Sequence, residues 1–163
     1  MELLYAKLIE RLAAKAPSLQ YIDLDTGQID NEELNYPIPL PAALISFDSI
    51  GWDTMGELVQ AGTVNITVRV AFPIYEDTNQ LTPAQSRLEG LNKLLILKEV
   101  HAALHGFGFT HFNTLSRYST TTERRPDNLT VFSMVYKTYL TDTSARPHTT
   151  PTDLAAQIIM AIP

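Results

Sequence analysis

The chain has 163 residues, 45% of them hydrophobic, with no cysteine and a formal charge of -6 from 12 Lys plus Arg against 18 Asp plus Glu. A domain of roughly 150 residues buries about 70% of its unfolded surface, so this length supports one core. The composition excludes global disorder, a disulfide framework, a thiolate metal site and a cysteine nucleophile.

Residues 2 to 15 place Leu3, Leu4, Leu8, Ile9, Leu12 and Ala13 at helical spacing among charged residues, which predicts an amphipathic helix stopped by Pro17. Leu19 to Leu24 read as a short strand turned by Asp25-Thr26-Gly27, followed by an acidic loop with Asp30, Glu32 and Glu33. Pro37, Pro39 and Pro41 predict an extended lead into a strand over Ala42 to Phe47. Gly51 to Gly62, which holds Trp52, reads as a connecting loop of about a dozen residues. From Thr63 to Phe72 the chain alternates: Val64, Ile66, Val68, Val70 and Phe72 form one face of a strand, and burying each contributes about 1.5–3 kcal/mol.

A second helix is expected from Thr82, as cap, and Pro83, as first helical residue, to Gly106. Its Leu88, Leu91, Leu94, Leu95, Ile96, Leu97, Val100 and Leu104 cover more than the roughly 100° stripe of a surface helix. The helix is therefore either sandwiched within the domain or has one flank against another subunit. Phe112 to Thr122 and Leu129 to Thr141 predict a hairpin with Arg124 and Arg125 in its turn, and apolar residues on both faces of the second strand predict that it is central. A Thr, Ser and Pro-rich stretch then leads to a short amphipathic segment, Asp153 to Ile162.

The fold class expected is α+β: a mostly antiparallel or mixed sheet of four to five strands carrying two main helices, plus a short C-terminal helix. Residues 1–142 form the domain, and 143–163 an extension that docks on its own or a neighbouring subunit. The Met1-Glu2-Leu3-Leu4-Tyr5 start has no cationic signal region, and no apolar run approaches about 18 residues, which predicts a cytosolic chain with no membrane partner. Arg124-Arg125 is the only basic pair, too little for tight or sequence-specific nucleic-acid binding.

Catalytic motifs are incomplete. His101 and His105 have zinc-binding spacing, but Ala102, Ala103 and Leu104 stand between them where a metalloprotease carries its glutamate; a histidine favoured by the helix C-terminal dipole is the alternative. A third ligand, His111, requires the Gly106–Thr110 turn to fold back. Asp23-Leu-Asp25-Thr-Gly27 opens like a calcium loop, with glycine at the fifth position and Leu34 at the twelfth, where the loop needs the sixth and a glutamate. Gly106-Phe-Gly108 lacks the third glycine of a dinucleotide fingerprint. The expectation is a non-enzyme with no metal or other cofactor.

The ordered segments resemble a known family. Pro41-Ala-Ala-Leu-Ile-Ser-Phe47, a Gly-containing connection through Glu57-Leu58, Val64-Asn-Ile-Thr-Val-Arg-Val-Ala-Phe-Pro73, a long helix and a closing hairpin with Arg and Asp at its turn are similar to the small tail terminators of long-tailed bacteriophages, the lambda type in particular. The likeness covers roughly residues 1 to 142. It implies a hexameric ring that sits on the last tail-tube ring, stops polymerisation and meets the head-side connector. The implied partners are further copies of the chain, the tail-tube protein and the connector; the implied location is the host cytoplasm, then the virion tail. Interface candidates are Trp52, Glu57, Tyr75, Arg124, Arg125, Ile158 and Ile159. Alternatives are another neck or head-to-tail adaptor, or a small metal-dependent enzyme using His101 and His105.

Overall fold

A computed structural model describes residues 1–30, 38–74 and 78–146. It is an α+β structure: helix α1 (Glu2–Lys15), strands β1 (Tyr21–Leu24), β2 (Ala42–Gly56) and β3 (Val59–Pro73), helix α2 (Ala84–Leu104), and strands β4 (Ser116–Glu123) and β5 (Leu129–Asp142). The five strands form one sheet in the order β1-β2-β3-β5-β4. Among the described strands only the β1–β2 pair is parallel. β5 lies between β3 and β4, the interior position its two apolar faces implied.

The alternation in β3 fixes the face of the sheet. Val64, Ile66, Val68, Val70 and Phe72 are all buried and join Ala43 and Ile45 of β2 with Met134, Tyr136 and Leu140 of β5 in one core. Leu4, Leu8 and Leu12 of α1, with Ile96, Val100, Ala103 and Leu104 of α2, close the same core from above. Arg11 of α1 donates from Nε to the Ala103 carbonyl at 2.9 Å, satisfying an acceptor in the last turn of α2. Beyond it, Gly106 at φ 78 ends the helix in the left-handed region that glycine enters without strain.

Two sequence expectations are corrected. Residues 51 to 62 are not a loop: β2 and β3 run on as a long hairpin to a tight turn at Glu57 and Leu58. A bulge between Phe47 and Ile50 adds one residue to β2, so Phe47 pairs with Ile66 and Ile50 with Val64, and both stay on the core face. That inserted residue interrupts the period-2 pattern that would have marked the strand. The second correction concerns α2, whose N-cap is Pro83 in an extended conformation, with Ala84 the first helical residue. Thr82 instead donates its backbone N–H to Asn79 in the preceding turn. The expected C-terminal helix at Asp153 to Ile162 lies outside the described residues.

Candidate functional site

The sheet face opposite the helices carries an ionic cluster. Arg69 points to this face from the central strand, beside Leu44 of β2 and Ser133 of β5. Its guanidinium donates to Asp30 at 2.7 and 2.9 Å, to both oxygens of Glu123 at 2.8 Å and to Asp25 at 3.0 Å. Arg125 donates to Asp127, to Asp30 and to the Ile29 carbonyl. Hydrogen bonds from Arg69, then from Arg125, hold the Asp30 carboxyl well below its ordinary range, and the Arg69 hydrogen bond lowers Glu123 as well. The arginines are held further into their charged form, Arg69 chiefly by Asp30 and Arg125 chiefly by Asp127.

The cluster bears on two sequence features. Arg125 is largely buried and donates to Asp30, Asp127 and the Ile29 carbonyl, which makes it a tie between the hairpin turn and the acidic loop. Arg124, next to it, is exposed. The described part of the stretch that begins like a calcium loop is held within the chain: Asp25 and Asp30 face Arg69, while Asp23 accepts hydrogen bonds from the hydroxyls of Tyr5 and Tyr21. Burial and the Asp23 carboxylate push the Tyr5 hydroxyl up to about 12.

His101 and His105 lie 4.9 Å apart between ring centroids with their planes tilted by 38°, and His101 stacks on Tyr136 at 6.5 Å. His105 Nδ1 accepts the Arg117 backbone N–H, which leaves it a structural partner of β4. Burial, with the Arg117 charge and His105 behind it, lowers the His101 imidazole below its ordinary value, against the dipole effect expected at a helix C-terminus. His111 lies instead in the Phe109–Phe112 turn, its ring 6.4 Å from that of Phe109. Among the described residues no group of three His, Asp or Glu is placed to hold a metal ion.

Among the described residues, two further surfaces gather exposed apolar side chains. The first is the β2–β3 tip. Glu57 and Leu58 occupy the turn at φ 49 and φ 61, the left-handed geometry that a two-residue hairpin turn normally fills with Asn-Gly. Met55 is 65% and Leu58 60% exposed, and Trp52 is 37% exposed on the side of the sheet that carries the helices. Asp53 and Glu57 are the acids of this tip, and Arg146 reaches Glu57 at 3.6 Å. β1 covers β2 only from Ala42 to Ile45, so among the described strands the outer edge of β2 from Ser46 to the tip is unpaired.

The second surface is the N-terminal half of α2. Leu88, Leu91, Leu94 and Leu95 are exposed, whereas Ile96, Val100, Ala103 and Leu104 are in the core. At about 100° per residue the two sets lie on opposite sides of the helix. Among the described residues the helix is therefore not sandwiched; its second apolar face is exposed. The exposed arc also holds Arg87 and Lys98, both basic.

Of the interface candidates, Trp52 and Glu57 sit together at the hairpin tip, and Arg124 lies on the separate β4–β5 turn. Tyr75, Ile158 and Ile159 lie outside the described residues. Sequence reasoning left Met55, Leu58 and the α2 leucines out of that set, although the excess apolar arc of α2 already marked the latter. No helix among the described residues is long and apolar enough to cross a membrane. Comparison with protein-family models and with curated proteins finds no match for the chain.

Proposed function

We propose that this chain is a non-catalytic, ring-forming tail terminator of a long-tailed bacteriophage, which caps the tail tube, stops its polymerisation and presents a surface to the head-side connector. The observation that carries the proposal is the second apolar face of α2: four leucines that the chain itself leaves in water, a surface suited to a neighbouring subunit. The segment order behind the resemblance supports it, with a two-helix layer on a five-stranded sheet and a closing β4–β5 hairpin. Assembly takes place in the host cytoplasm, and the ring then stays in the virion tail.

The test is light scattering of the purified protein at several concentrations, with electron microscopy of the protein alone and mixed with tail-tube protein. Rings, or tubes closed at one end, are expected. A protein that stays monomeric and neither caps nor shortens tubes overturns the proposal. Reciprocal pull-downs decide the ring it touches: capture by the connector without the tube protein reassigns the chain to a head-to-tail adaptor.

A further inference from the structure

Resting on the ring reading, we infer that the subunit contact is head-to-tail: the β2–β3 tip of one copy docks on the exposed leucine arc of α2 in the next. Both surfaces are open in the same chain, so neither covers the other. The tip offers Trp52, Met55 and Leu58 with the acids Asp53 and Glu57; the arc offers Leu88, Leu91, Leu94 and Leu95 with the bases Arg87 and Lys98.

Charge selects this pairing. Two arcs face to face would oppose Arg87 and Lys98 to their own copies, whereas tip on arc sets Asp53, and Glu57 shared with its own Arg146, against those bases. A contact between unlike surfaces is heterologous, the kind that generates a closed ring or an open filament. Two features of the tip fit an occupant. Leu58 holds a left-handed backbone conformation that costs a non-glycine residue about 1–2 kcal/mol, yet its side chain is 60% exposed. The unpaired outer edge of β2 beside the tip is also the kind of strand edge that proteins cover with a helix, and α2 of the neighbour is a helix.

The chain has no cysteine, so introduced thiols report without background. Full-length chains carrying Met55→Cys and Leu91→Cys singly, together in one chain, and as an equal mixture of the two single variants are oxidised free and on tail tubes. Leu58→Cys with Leu95→Cys serves as a second pair. The expected result is a disulfide dimer from the mixture, a ladder from the double variant and no homodimer from either single variant. A homodimer from either single variant as the main product overturns the contact in favour of a two-fold one. Absence of cross-links from both pairs, free and on tubes, overturns it as well. Rings or caps without cross-links remove this contact and spare the ring reading. Cross-linked mixtures without rings or caps keep the contact, as an open chain of subunits, and remove the ring.

Discussion

Trp52 packs against Gly62 across the β2–β3 hairpin: a Cβ built on the glycine would stand 3.0 Å from the indole Cε3 and 2.5 Å from the Gly51 carbonyl oxygen. The backbone oxygen cannot move aside as a flexible side chain can. Gly62→Ala is therefore expected to destabilise the protein by about 1–3 kcal/mol through overpacking. Trp52 is the only tryptophan, so a red-shifted emission should accompany the lower melting temperature. Unchanged emission and melting would show that the hairpin tolerates the methyl group.

Val68 lies between Ile45 of β2 and Met134 of β5, with no exposed surface. Val68→Lys would leave a charge unpaired among apolar side chains, a cost of several kcal/mol against a net stability of about 5–15 kcal/mol. Unfolded or aggregated protein is expected in circular dichroism and size exclusion. A native melting temperature would contradict the face assignment of β3.

Acid should loosen the cluster around Arg69. The folded-state pKa values of Asp30 and Glu123 lie below their ordinary values, so their contribution is complete above the ordinary carboxylate range. It is lost as pH falls through about 4 and on through the lowered values. Thermal melts from pH 7 to pH 2 should show this fall. Asp30→Asn should begin less stable at pH 7 and fall less steeply; a wild-type slope in that variant would show that Asp30 carries none of the dependence.

The turn residue Leu58 sets subunit stability against assembly. At φ 61 glycine is free of the strain that leucine bears, which outweighs the extra entropy glycine has in the unfolded chain. Leu58→Gly is expected to raise the urea midpoint by the equivalent of about 0.5–1 kcal/mol, while weakening subunit association by light scattering. A variant that is less stable yet assembles as well as the parent would contradict both halves of this expectation.

How much of this was readable in advance depended on how local the signal was. α1 and β3 announce themselves through uninterrupted periodicity and β5 through apolar residues on both faces, and the surplus leucines of α2 mark a face with no partner among the described residues. The distal half of the β2–β3 hairpin did not, for two physical reasons. The bulge between Phe47 and Ile50 breaks the alternation, and Glu57-Leu58 is not the Asn-Gly that a two-residue turn favours. Gly51, Gly56 and Gly62 then imitate the composition of a loop. The Arg125–Asp30 pair spans 95 residues, and no spacing rule reaches across that separation. The internal bonds of Arg125 therefore come from the fold and not from the sequence pattern.

Arg69 stands on the central strand, yet its carboxylate partners come from beyond both flanks: Asp25 just after β1 at one edge of the sheet, Glu123 at the end of β4 at the other, and Asp30 from the loop between β1 and β2. One guanidinium thus fastens both margins of the sheet to its middle. Edge strands ordinarily fray independently, each at its own opening free energy. Here neutralising a single side chain would release both together, so amide exchange in β1 and β4 should rise in step although three strands lie between them.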